Sequence, residues 1–122
     1  MDIGVIGCAN IAMRSVIPAI KSISDFNLLA VASRSFEKAN EYARKFECEA
    51  IEGYDNLIAR EDIEAVYIPL PTGMHQEFVV KALQSGKHVI AEKSLGMNFS
   101  EVETMVNLAR EKNLLLMENY MF

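Results

Sequence analysis

Five short stretches of this sequence carry residue types that can do chemistry together. The pair Glu92-Lys93 follows directly on the apolar run His88 to Ala91. Charges placed straight after a buried strand are carried to the edge of a sheet. There the Lys93 ammonium can hydrogen-bond a ribose and a substrate oxygen. It can also act as an acid, which partial burial and a neighbouring cation would favour. Glu92 can orient it. The plain alternative is a surface ion pair contributing under about 1 kcal/mol.

The second stretch is Asp2 to Ala12, DIGVIGCANIA. An apolar run (Ile3, Val5, Ile6) meets Gly7, which permits a tight turn, and small residues then open a helix. Ala9 and Ala12 stand at the second and third places of a G-x-G-x-x-G/A fingerprint. Such a turn binds a pyrophosphate through N–H groups at a helix start, aided by the helix dipole. Ala9 adds a methyl where contact is closest, and small residues can also serve a strand-to-helix turn that binds nothing. Cys8 lies inside the turn, where its thiol reads as buried and neutral.

The third stretch is Ser33-Arg34. About 20 residues past such a turn, an acidic residue usually holds a ribose 2′-hydroxyl. Here there is no carboxylate to repel a 2′-phosphate. Serine donates a hydrogen bond, and guanidinium pairs with phosphate or stacks on adenine. Lys38, one helical turn on, adds charge or is simply solvated. NADP is therefore expected over NAD, which stays possible.

The fourth stretch, Tyr67 to His75, reads YIPLPTGMH. Pro69 and Pro71 around Leu70 make a stiff extended ridge. It suits one wall of a nicotinamide slot, with Thr72 offering a hydroxyl. His75 either joins that slot or merely begins the next helix. The fifth stretch, Met117 to Phe122, brings Glu118 and Asn119 to the same edge.

These stretches need a scaffold to bring them together. The periodicity predicts helices over Asn10–Ser22 (bent or restarted at Pro18), Phe36–Phe46, Tyr54–Ala59 and Gln76–Ser85. A further helix starts at Asn98 or Ser100 and runs to about Lys112. Strands are expected at Ile3–Ile6, Phe26–Ala32, around Ala50 and Ile51, and at Ala65–Ile68, His88–Ala91 and Leu114–Met117. Strict alternation without a hairpin signal predicts an α/β fold, a doubly wound parallel six-stranded sheet of Rossmann type in the order 3-2-1-4-5-6. Ligands then bind at the carboxyl ends of the strands, and the ends of strands one, two, four, five and six are the candidate site.

Composition sets the outer bounds. The 122 residues suggest one domain and bury roughly two-thirds of the unfolded surface. The net charge of −5 argues against non-specific nucleic-acid binding. No apolar run reaches the roughly 18 residues of a membrane span. With no basic-then-apolar leader at the start, and with Cys8 and Cys48 in no metal or redox spacing, a cytoplasmic protein is expected.

Together the stretches resemble the amino-terminal half of the Gfo/Idh/MocA oxidoreductases. That family's pattern is G-x-G-x-I-A, then S-R, then P-x-x-x-x-H, then E-K-P. The counterparts here are Gly7-Cys8-Ala9-Asn10-Ile11-Ala12, Ser33-Arg34, Pro71 to His75, and Glu92-Lys93-Ser94. There are three departures: Ala9 for glycine, Ser94 for proline, and a Pro71–His75 spacing one residue tight, so that Pro69 can be the equivalent proline. The resemblance covers essentially the whole chain and implies hydride transfer between a nicotinamide and a sugar-type or polyol carbon. YIPLPTGMH and ENYMF look most like members that reduce keto groups of nucleotide-linked sugars or oxidise sugars.

The resemblance implies that Lys93 is catalytic. It implies that Gly7, Cys8, Ala9, Asn10 and Ile11 hold the pyrophosphate, and that Ser33, Arg34 and Lys38 hold the adenosine end. The nicotinamide end falls to Pro69, Leu70, Pro71, Thr72, His75, Glu92, Lys93 and Asn119. It also implies a second domain that supplies most of the substrate pocket and often the oligomer contact. These 122 residues do not include that domain, so alone they would bind cofactor and turn over little. The rival readings are a stand-alone nucleotide-binding or redox-sensing module and an interaction domain.

Overall fold

The computed structural model of this chain describes residues 1–7 and 16–119, with Asn119 described in its backbone. The first strand, β1 (Asp2–Ile6), is followed by α1 (Ile17–Ser22), β2 (Asn27–Ser33), α2 (Phe36–Phe46) and β3 (Glu49–Glu52). Then come α3 (Tyr54–Ile58), β4 (Ala65–Ile68), a 3-10 turn at Thr72–Met74, α4 (His75–Gln84), β5 (His88–Glu92), α5 (Phe99–Glu111) and β6 (Leu116–Asn119). All strand pairs are parallel, in the order β3-β2-β1-β4-β5-β6. The expected doubly wound sheet is therefore present, with its switch between β1 and β4.

Side chains on successive strand residues point to opposite faces, and both faces are apolar here. On one face Val5, Val31 and Tyr67 pack with Ile17, Tyr42 and Phe46 from α1 and α2. On the other, Ile6, Ala32, Val66 and Ile68 pack with Leu57, Phe78, Leu83 and Met105 from α3, α4 and α5. The inward faces of α2 (Ala39, Tyr42, Ala43, Phe46) and of α4 (Phe78, Val79, Ala82, Leu83) are buried.

The boundaries of the first helix, of α5 and of the last strand bear on the expectations. Much of the first predicted helix lies outside the described residues. Pro18 sits in the first turn of α1, where its missing N–H breaks no helical hydrogen bond. Of the two candidate caps for α5, Asn98 is the one used: its Oδ1 accepts from the Glu101 N–H at 3.0 Å. The last strand begins two residues later than predicted. Asn113 adopts φ 57° and Leu114 N–H donates back to the Ala109 carbonyl at 2.9 Å, so helix termination consumes Leu114 before pairing can start. Among the described residues no helix is long and apolar enough to cross a membrane.

Candidate functional site

The carboxyl ends of β1, β2 and β4 converge on one cavity of about 300 Å³. Gly7 lies at its floor with φ +106°, and its N–H donates to the Ala32 carbonyl at 2.9 Å. A side chain there would be strained, and a Cβ would stand 2.7 Å from Leu70 Cδ2. Glycine is what lets the β1 turn and the β4 ridge approach each other. Ser33, Arg34, Lys38, Pro69, Leu70 and Pro71 line the same cavity. The structure thus brings most of the predicted adenosine-end residues and the proline ridge together.

The electrostatics of this cavity are one-sided. Among the described residues its lining includes two cationic side chains, Arg34 and Lys38, both exposed, and no carboxylate. Ser33 is buried, and its Oγ accepts from the Ser35 N–H at 3.3 Å, an arrangement that leaves the hydroxyl proton to donate. Ser35 caps α2, its side chain accepting from the Lys38 N–H, so the positive end of that helix also faces the cavity. Every one of these features favours an anion.

Two residues of this cavity were not anticipated from sequence. Ser35 enters it from the start of α2. Tyr54 lines the wall, its ring held edge-on to Phe78 at 5.1 Å between centroids. Gly53-Tyr54 closes β3, the one strand end that the sequence reading left out, and a glycine followed by an aromatic was the available signal.

After β4 the chain runs Pro69-Leu70-Pro71 into the 3-10 turn, leaving Thr72 half-buried. His75 begins the next helix, one of the two places the sequence left open for it. It is wholly buried as the first residue of α4, with Nδ1 3.0 Å from the Leu95 carbonyl oxygen and Nε2 2.7 Å from that of Leu70. Both ring nitrogens are engaged by backbone, so His75 ties the loop after β4 to the loop after β5.

The loop after β5 is gripped at Leu95. Its side chain is buried, its carbonyl faces His75, and its N–H donates to Glu118 Oε2 from β6 at 2.6 Å. Glu101 Oε1 accepts from the Met97 N–H at 2.8 Å and secures the far end. These anchors follow Lys93, which is exposed and has no salt-bridge partner among the described residues. The Lys93–Ser94 peptide is cis. One expectation needs correction here, and one partner is new. Lys93 is not partly buried, because Glu92 ends the buried strand and the chain emerges at the next residue. Glu92 is buried and accepts a hydrogen bond from the Tyr67 hydroxyl, a partner the sequence did not suggest.

Burial and the Glu92 carboxylate push the Tyr67 phenol well above its usual range, so Tyr67 is the proton donor of that pair. Asn119 pairs with Glu92 across β5 and β6, which places its backbone on this edge. Cys8, Ala9, Asn10, Ile11 and Ala12, expected to carry the pyrophosphate turn, lie outside the described residues.

Comparison with known proteins gives a consistent picture. The family described as "Oxidoreductase family, NAD-binding Rossmann fold" matches residues 1–120. A dTDP-3,4-didehydro-2,6-dideoxy-alpha-D-glucose 3-reductase of Saccharopolyspora spinosa is 52% identical over 120 residues, covering 98% of this chain and 36% of the relative. The protein of that name from Streptomyces violaceoruber is 49% identical over 122 residues, covering all of this chain and again 36% of the relative. Among solved structures, KijD10, a 3-ketoreductase from Actinomadura kijaniata crystallised with TDP-benzene and NADP, superposes with a TM-score of 0.97 at 43% identity. That match covers 98% of this chain and 38% of KijD10. The chain spans little more than a third of the length of these relatives.

Proposed function

The chain belongs to the Gfo/Idh/MocA oxidoreductase family, and from that premise we propose that it is the NADP-binding part of a sugar-nucleotide 3-ketoreductase. The observation that carries the cofactor half of this reading is the cavity at the end of β2. It is lined by Arg34, Lys38, Ser33 and the capped start of α2, with no carboxylate among the described lining residues. A 2′-phosphate fits those donors, whereas the acidic residue that would hold a bare ribose is missing. The substrate half rests on relatives named as 3-reductases of a dTDP-linked keto sugar and favours catalysis over a stand-alone sensing module.

In this reading Arg34 pairs with the 2′-phosphate, Ser33 donates to it and Lys38 adds charge. Pro69 to Thr72 form one wall of the nicotinamide end, and Glu92 and Lys93 the other. The bound reduced cofactor supplies hydride to the keto carbon. Lys93 holds the proton that the ketone oxygen takes up as it becomes a hydroxyl. Exposure of Lys93 at the sheet edge suits a group that must meet a substrate, and the grip on Leu95 keeps its loop in place. We place the sugar-nucleotide pocket in the part of the relatives that this chain does not span, and the whole protein in the cytoplasm.

Titration of the chain with NADPH and NADH tests the cofactor assignment. NADPH should bind tighter by about tenfold or more, the worth of a charge-assisted hydrogen bond. Arg34→Ala should erase that preference. Equal affinities for the two, or indifference to Arg34→Ala, would overturn it.

A further inference from the structure

Resting on the cofactor reading above, we propose that Tyr67 is a positioning residue for the nicotinamide end, whose hydroxyl fixes the Glu92 carboxylate in the orientation that meets the cofactor. Tyr67 lies on β4 and pairs in register with Ile90 on β5. Paired residues of a parallel sheet share a face, and so do residues two apart on one strand. Tyr67, Ile90 and Glu92 therefore project from the same face, Glu92 being nearest the carboxyl edge. The Tyr67 ring has no exposed surface and is packed among Val5, Ile17, Val31 and Tyr42. A ring so enclosed has one position, and its hydroxyl donates to Glu92 Oε1.

A carboxylate at the end of a strand has rotational freedom about its last bonds. Anchoring one oxygen to a rigid donor removes that freedom before the ligand arrives, which is how orientation contributes to affinity. The burial of Glu92 adds a second reason for the bond, because an ionised carboxylate out of water needs donors. Tyr67 itself is buried beneath the edge and acts only through Glu92.

The test compares two ligands on the chain and on Tyr67→Phe, Glu92→Gln and the double variant. NADPH reaches both ends of the site. Adenosine 2′,5′-bisphosphate carries the 2′-phosphate and lacks the nicotinamide half. Tyr67→Phe should weaken NADPH about tenfold, Glu92→Gln by a similar factor, and the double variant no more than either single. The bisphosphate should bind all four proteins within about twofold, which also reports that each is folded. An unchanged NADPH affinity in Tyr67→Phe, an equal loss for both ligands, or multiplying losses in the double variant would each overturn the inference. Should Tyr67→Phe not fold, ring NMR signals of Tyr67 in the parent chain decide. They must move with NADPH and stay put with the bisphosphate, and no movement with NADPH sinks the idea. Failure of the cofactor reading has its own signature: no NADPH binding by the parent chain, or Arg34→Ala without effect.

Discussion

Gly7 shows how much one residue settles here. Its φ of +106° lies outside the range L side chains adopt readily, and a Cβ would also press on Leu70 Cδ2 at 2.7 Å. The methyl of Leu70 can rotate away, but the backbone cannot relax without losing the bond from Gly7 N–H to Ala32. Gly7→Ala should therefore lower unfolding stability by about 1–3 kcal/mol in a denaturant titration. Adding Leu70→Ala should restore none of it. Recovery in the double variant would mean that crowding, and not backbone strain, is the cause.

At the scale of elements, the edge residues are held by helix ends and by neighbouring strands. The loop carrying Lys93 runs from the buried Glu92 to Asn98, the cap of α5. Asn98 Oδ1 accepts from Glu101 N–H while Glu101 Oε1 accepts from Met97 N–H, so cap and loop support each other. Asn98→Ala should cost about 1 kcal/mol of stability by thermal or chemical unfolding, and Asn98→Asp should retain most of it. A loss in Asn98→Asp equal to that in Asn98→Ala would show that the side-chain oxygen is not what stabilises the helix. His75 belongs to the same scale. Its sequence position left open a ligand contact or a plain helix start, and its ring joins the loops that follow β4 and β5.

At the scale of the whole molecule, two buried titratable groups give the fold a pH dependence of opposite signs. The Tyr67 phenol is raised by burial and by Glu92, so above pH of about 10 the unfolded chain loses a proton that the folded chain keeps. That contribution is fully present below about pH 10 and is lost as pH rises toward the folded value. Lys87, at the opposite edge, donates to the Arg60 and Ile63 carbonyls at 2.6 and 2.7 Å, and burial lowers its pKa. Between its folded value and the usual value of about 10.4, the unfolded chain holds more protons, so this group makes stability rise with pH. Tyr67→Phe should therefore flatten the alkaline fall in unfolding free energy above pH of about 10, and Lys87→Met should steepen it. Urea titrations from pH 8 to 11 check both signs, and an alkaline limb unchanged in Tyr67→Phe would contradict the first.

The fold itself was legible from local chemistry. The apolar runs of β1, β2, β4 and β5 and the cap at Asn98 are signals spanning a few residues each. The right-handed crossover rule then orders the strands. Ser33, Arg34 and the proline ridge could be assigned to one edge of the sheet because that order carries strand ends to a common side, and the structure adds that they line one cavity. What only the tertiary structure decided is which side chains meet there. Tyr67 and Glu92 are 25 residues apart, and His75 meets Leu95 across 20. Tyr54 joins the cavity from a strand end that seemed chemically plain. Sequence periodicity says which face a residue takes, but a hydrogen bond depends on the register between strands and the lean of each side chain, and those exist only once the sheet has formed.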